Sequence, residues 1–333
     1  MFFAENYGIA VMLCVVTMLC WGSWANTQKL AGKSWRFELF YWDYVLGIVL
    51  FSLFLGLTMG SIGDKGRGFV ADIIQAEFSN IISPIIGGII FNLSNILLVA
   101  SIALAGMAVA FPVGVGLAMV VGVIINYVTA PQGNPIFLFG GLILATVAIV
   151  LDALAYKKMA SAQKKIPTKG IVMAIFAGIL MSVFYSFITK AMVTNFGTPE
   201  PGKLTPYTAV FFFGIGILLS NFLFNTIIMN RPVEGKPVSY GDYFKGNFKT
   251  HLTGILGGSI WCLGTTLNII ASGTAGSAIS YALGQGATLV GVLWGVFIWK
   301  EFANAPKGTN TYIFFMFVLY LLGIISIVIA GMQ

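Results

Sequence analysis

An all-α integral membrane bundle of ten helices, built as two inverted five-helix repeats, is the fold this sequence predicts, and three observations predict it. Hydrophobic residues make up 58% of the 333 positions and charged residues only 9%, where soluble chains carry roughly 25% charged. The apolar residues fall into ten runs, each near the ~20 residues that cross a ~30 Å hydrocarbon core. The chain also resembles itself at an offset of 170 residues. A water-facing globule of this size needs a polar shell, which a mean hydropathy of +0.93 denies it, so the surrounding solvent is lipid.

The first run covers residues 7–28. Its opening, MFFAENYGIA, has no basic segment, and the following CWGSWANTQKL is not a small-residue cleavage site, so the run is expected to stay as a helix. Lys29, Lys33 and Arg36 separate it from the second run, 39–59, which Lys65 and Arg67 follow. The third and fourth runs are 81–102 and 108–127, and Pro112 in the fourth can break its helix beside a cavity. The fifth, 136–156, contains LFGGLILATVAIVLDALAY, with none of the two-residue alternation of a barrel strand. Lys157, Lys158, Lys164, Lys165 and Lys169 divide it from the sixth, 171–189. Lys190 and Lys203 precede the seventh, 207–229, and Arg231, Lys236, Lys245 and Lys249 precede the eighth, 252–271. Lys300 and Lys307 divide the ninth, 277–299, from the tenth, 312–330. The longest loops, 60–80 and 230–251, hold no soluble domain; FVADIIQAEF in the first reads equally as an interfacial amphipathic segment or as plain loop.

Alternate loops collect fourteen of the 18 basic residues and the opposite set four. The positive-inside rule assigns the fourteen to the cytoplasm, which puts both termini outside an inner or plasma membrane. The net charge of +7 therefore reports orientation; a nucleic-acid surface needs Lys and Arg clustered on a soluble face, so no nucleic-acid partner is expected. Cys14, Cys20 and Cys262 lie within apolar runs as small hydrophobes, and no disulfide is implied.

The self-similarity lays IIGGIIFNLSNILLVASIALAGMAVAFPVGVG, from Ile85, over ILGGSIWCLGTTLNIIASGTAGSAISYALGQG, from Ile255. Eleven of 32 positions are identical without a gap, including Gly87/Gly257, Gly88/Gly258, Ala105/Ala275, Gly106/Gly276, Gly114/Gly284 and Gly116/Gly286. Chance gives about three, so this is a repeat. It spans the third and fourth runs in one copy and the eighth and ninth in the other, so the unit has five helices: residues 1–165, then 166–333. Five is odd, and the second copy must enter the membrane from the opposite side, an architecture of secondary transporters. Glycine pairs four residues apart, Gly254/Gly258 and Gly291/Gly295, let such helices approach closely in lipid.

Polar side chains are expensive in lipid and belong inside the bundle. The eighth run carries Trp261, Thr265, Asn268 and Ser272 on one helical face. The first has Trp21, Trp24 and Gln28 on one face with Asn26 beside it; the third has Asn92 and Asn95; the fourth ends with Asn126; the ninth has Tyr281, Gln285 and Thr288. Amides, hydroxyls and indoles suit a small neutral hydrogen-bonding solute, a sugar stacked on Trp or a flat polar heterocycle. For any one of them the competing reading is an interhelical hydrogen bond worth ~0.6 kcal/mol. Asp43, with Glu38 behind it, is the candidate for a proton-coupling carboxylate, although Glu38 can also serve the start of its helix. Asp152, one turn before Lys157, can reach the interface, and Lys29 and Lys190 read as helix ends.

Enzyme chemistry is poorly served. The sole histidine, His251, lies at a loop–helix junction, and there is no HExxH, no Cys/His metal spacing and no phosphate loop. No cofactor and no metal are expected.

Several segments carry a resemblance. CWGSWANTQKL, WRFELFYWDYVLG, GGIIFNLSNILLVASIALAGMAVA with VVGVIINYV, and ALGQGATLVGVLWGVFIWKEF resemble the drug/metabolite transporter superfamily, the DMT/EamA-like fold, across both halves. Within it they are most similar to the glucose/rhamnose-type sugar porters and the ureide permeases. The resemblance implies ten helices as five plus five, with proton-coupled uptake of sugars in one branch and of allantoin or nucleobases in the other. The short central KKMASAQKKIPTK departs from the longer cytosolic segment of plant ureide permeases and tilts the expectation toward sugar-type uptake. The expected partners are the lipid bilayer, a small neutral polar solute and a proton or other coupling ion, with a homodimer left open. A metabolite or drug exporter of the same superfamily shares every architectural feature; a membrane enzyme or receptor scaffold is the weakest alternative.

Overall fold

The computed structural model describes residues 1–32, 35–106, 110–159 and 167–332, apart from the side chain at 111. Lys33, Lys164 and Lys165, the start of the expected fourth run at 108 and the boundary between 165 and 166 lie outside the described residues. Among the described residues, ten helices are long and apolar enough to cross a membrane: α1 (Tyr7–Ala31), α2 (Phe37–Leu57), α3 (Phe78–Ala105), α4 (Pro112–Thr129), α5 (Pro135–Met159), α6 (Thr168–Lys190), α7 (Pro206–Asn230), α8 (Phe248–Ala275), α9 (Ser277–Ile298) and α10 (Thr309–Ala330). The fold class is therefore that of a multi-span all-α membrane protein. Among the described residues no strand forms beyond an isolated bridge between Met192 and Leu204.

The expected ends move by at most four residues, and local sequence gives the reason at two of them. α8 starts at Phe248, four residues before the expected run, because Asn247 accepts from the Thr250 N–H (2.9 Å). Pro206 opens α7 at its first turn, where its missing N–H leaves no intrahelical bond unmade. The 60–80 loop does contain a short helix, Phe69–Gln75, with Phe69 buried and Val70 and Ile74 exposed.

Three spans are irregular. α1 is interrupted after Ser23 and resumes at Asn26, with the Asn26 amide donating to Ser23 O (3.1 Å) and the Thr27 hydroxyl to Trp24 O (2.7 Å). α4 opens with a π-turn, Phe111–Val115, at Pro112, and α9 breaks after Gly284 and ends in a π-turn, Trp294–Ile298. Broken backbone at membrane depth is tolerated where it lines a cavity.

The helix pairs in contact follow one pattern. Adding five to each helix number carries the α3/α6 pair onto α8/α1, α2/α8 onto α7/α3 and α4/α6 onto α9/α1, and leaves α5/α10, α2/α7 and α4/α9 in place. Glycine sets the closest approaches. A methyl group on Gly258 of α8 would overlap the Tyr44 carbonyl of α2, and one on Gly88 of α3 would overlap the Phe213 carbonyl of α7. Reciprocally, Gly47 of α2 abuts Ile255 and Gly216 of α7 abuts Ile85. Only Gly lets backbones meet this closely, and van der Waals contact is what holds helices together in lipid. The three cysteines are free and buried.

Candidate solute cavity

A cavity of about 300 Å³ lies among α1, α3, α5, α6, α8 and α9. Each irregular span touches it: Trp24 and Ala25 at the break in α1, Val115 in the π-turn of α4, and Gln285, Trp294 and Gly295 in the broken α9. Its inner end is aromatic. Trp21 and Trp261 are stacked, and Phe91 lies 4.6 Å from Trp261 between ring centroids. The Trp21 indole N–H donates to Thr265 Oγ1 (3.1 Å), which fixes that ring.

Besides Asn26, two amides line the space, Asn95 and Gln285. Asn95 gives one N–H to Tyr41 Oη (3.0 Å); Tyr41 donates to Asn92 Oδ1 (2.9 Å), and Asn92 to Ser220 Oγ (2.9 Å). That chain runs from the cavity wall through α2 to α7 and holds Asn95 in one orientation. Gln285 lies where α9 breaks, its backbone carbonyl taken by the Tyr320 hydroxyl (2.8 Å).

Toward the loops after α1, α5 and α9 the lining becomes charged. Lys29 pairs with Glu301 (3.1 Å) and lies 4.4 Å over the Trp299 ring. Trp299 donates to Asn26 Oδ1 (2.6 Å), Trp294 to Ser23 Oγ (2.9 Å) and Tyr156 to Glu301 Oε2 (3.2 Å). Asp152 of α5 also lines the cavity. The opposite end of the bundle is tied shut. Arg67 binds Asp72 (2.8 Å) and the carbonyls of Pro199, Glu200 and Lys203, while Asp72 Oδ2 accepts from Thr205 N (2.7 Å).

Of the polar and indole residues the sequence singles out, Trp21, Trp24, Asn26, Asn95, Trp261, Gln285 and Thr288 line the cavity. Thr265 and Asn92 stand directly behind it. Gln28, Asn126, Asn268 and Tyr281 do not line it; Asn126 accepts from Ser186, Asn268 accepts from Tyr185 (2.8 Å) and donates to Ser280 O (2.8 Å), and Tyr281 donates to Ala118 O and Met181 O. Asp43 and Glu38 lie elsewhere. Asp43 accepts from the Tyr243 hydroxyl (2.6 Å) and meets His251 Nδ1 (2.9 Å), and Glu38 pairs with Arg36. Burial, and the carboxyl it donates to, push the Tyr243 hydroxyl above its ordinary pKa.

Sequence reasoning read Asp152 as interfacial and Lys29 as a helix end, and gave Glu301, Trp294 and Trp299 no role. The indole pair at the end of the ninth run was the available signal. Among the described residues no group of three His, Cys, Asp or Glu side chains could hold a metal ion.

The ureide permease family model matches residues 40–169 and 158–331, which together take in most of the chain. The protein belongs to the ureide permease family. Ureide permease 1 of Arabidopsis thaliana is 22% identical with 97% of each chain covered, and ureide permease 2 of the same plant is 21% identical over 96% of each. Probable ureide permease A3 of Vigna unguiculata is 20% identical over 92% of this chain and 98% of its own. A crystal structure 15% identical in sequence overlays 95% of both chains with a TM-score of 0.61, a likeness of fold. The cavity is thus that of a permease-family member, with lining drawn from both halves of the chain.

Proposed function

We propose that this permease carries a small neutral polar solute of the ureide class across an inner or plasma membrane by alternating access, with protons as the coupling ion. The observation that carries the reading is the cavity, about 300 Å³, whose wall carries indole faces and the Asn95 and Gln285 amides. A ureide is flat and presents alternating N–H donors and carbonyl acceptors. Amides answer both, and an indole face accepts the plane of the molecule. That volume is at the small end of ligand pockets, and the family's named relatives are ureide permeases.

Residues 1–165 and 166–333 are read as inverted copies. Support comes from contact pairs that exchange when five is added to each helix number, and from the matched glycine contacts on either side. The positive-inside rule applied to the basic loops supports a reading in which the charged mouth is cytoplasmic, the termini are outside and this conformation faces inward. The test is uptake of radiolabelled allantoin, a nucleobase and a hexose into proteoliposomes under an imposed pH gradient. Allantoin accumulation that collapses with the gradient supports the reading. Hexose uptake alone moves the substrate to the sugar class, and efflux that exceeds uptake under either gradient makes the protein an exporter. Asp43→Asn asks whether α2 carries the coupling step, as the sequence suggests: loss of gradient response with unchanged thermal stability places it there.

A further inference from the structure

Asp152 stands apart from the other carboxylates inside the bundle. It lies on α5 almost two turns before the helix ends at Met159, is 3% exposed and lines the cavity. Its Oδ1 is buried and has no hydrogen-bond partner among the described residues. Asp43 is already answered by Tyr243 and His251, and Glu38 by Arg36. The groups facing Asp152 come from three elements. Tyr156 is one turn along α5, Glu301 comes from the loop after α9 and Tyr320 from α10, while Lys29 of α1 lines the same cavity. None supplies it with a free cation: the Lys29 ammonium is held by Glu301 and Trp299, Tyr320 is turned to Gln285 O, and Tyr156 donates to Glu301. Lys158, on the same helix, lies instead over Tyr312.

An ionised carboxylate buried without a cation is costly in any low-dielectric interior. A second carboxylate nearby, Glu301, adds repulsion. Such a pair holds a proton readily on the buried member and has a half-exposed neighbour through which the proton can reach water. Tyr156 fixes that neighbour from the same helix as Asp152.

We propose that Asp152 is the residue that carries the coupling proton, and that Glu301 passes it to and from the water at the charged mouth. This rests on the transport reading above and assigns its ion to a residue. In the conformation described, Asp152 is the neutral acid. When solute leaves toward the mouth, the Asp152 O–H bond breaks, the proton moves to the Glu301 carboxylate or to an intervening water, and from there to the bulk. When the cavity faces the other side, water there returns a proton to Asp152. No bond in the solute forms or breaks.

The experiment separates two activities in proteoliposomes: gradient-driven accumulation of radiolabelled allantoin, and allantoin exchange at equal pH, which needs no net proton movement. In Asp152→Asn the ratio of accumulation to exchange is expected to fall at least tenfold, and Asp152→Glu to restore part of it. A ratio that stays within twofold of wild type overturns the assignment, as does equal loss of both activities, which marks a solute-binding or structural residue. A ratio that collapses in Asp43→Asn but survives in Asp152→Asn also overturns it. Because a variant can fail to fold, the wild-type protein provides a second measurement. A hydrophobic carbodiimide, which attacks protonated carboxyls in apolar surroundings, should label Asp152 by peptide mass spectrometry, less as pH rises. No adduct at Asp152 under any condition overturns the proposal. Absence of both exchange and uptake in wild type, with Asp152 still labelled, strikes the transport reading and not the protonation of this residue.

Discussion

Trp21 of α1 and Trp261 of α8 lie nearly parallel at the inner end of the cavity, ring centroids 6.2 Å apart and planes 15° off. Two stacking contacts, one on each face of a flat guest, need about 7 Å, so a guest stacks against the pair and does not slip between its members.

Trp261→Ala should therefore raise the solute KM for exchange about three- to tenfold, the range of one aromatic stacking contact. Trp261→Phe should recover part of that. Equal KM values in the three proteins would remove the ring from the binding surface.

The backbone contacts at Gly88 and Gly258 predict matched sensitivity in the two halves. Gly88→Ala and Gly258→Ala should each lower stability by about 1–3 kcal/mol, because the clashing atom is a carbonyl that cannot rotate away. Gly291→Ala, where no atom lies within 4 Å of the added methyl, should stay within about 0.5 kcal/mol. Thermal unfolding in detergent by intrinsic fluorescence reads all three.

The ten spans were legible because bilayer thickness dictates their length and because charge and capping residues mark their ends. The cavity was legible in part. Trp21, Trp24, Asn26, Asn95, Trp261 and Gln285 announce themselves as polar or indole groups in apolar runs, but so do Asn126, Asn268 and Tyr281, whose partners are other helices. A linear sequence does not distinguish an amide that meets a guest from one that meets Tyr185. Asp152 escaped for a different reason. Its depth depends on α5 continuing to Met159, and an apolar run that stops at Tyr156 makes the same carboxyl look interfacial.

Arg67 binds the 2–3 loop to the 6–7 loop through a fully buried Asp72 and three carbonyls. Arg67→Ala leaves that carboxylate unpaired and should cost about 3–5 kcal/mol. Hydrogen exchange should rise first at the Thr205 amide, which Asp72 holds. Unchanged protection there would show that the two loops are joined by other contacts.

In the same loop, hydrogen bonds from the Thr194 side chain and backbone hold the Glu200 carboxyl below its ordinary value of 4.5. A depressed carboxylate stabilises above its unfolded pKa and stops doing so as pH falls through the folded one. Protection of the Thr194 amide, corrected for intrinsic exchange, should therefore fade on acidification below the ordinary carboxylate range. Glu200→Gln should abolish that pH dependence.

The burial of Cys14, Cys20 and Cys262 has a practical corollary. A bulky water-soluble maleimide has no native thiol to react with, so the wild-type chain is already a silent background for reporter chemistry. A single cysteine placed at Asn95 or Gln285 could then register, by its alkylation rate from either side of a vesicle, which way the protein is open at a given moment, with no native position altered beforehand.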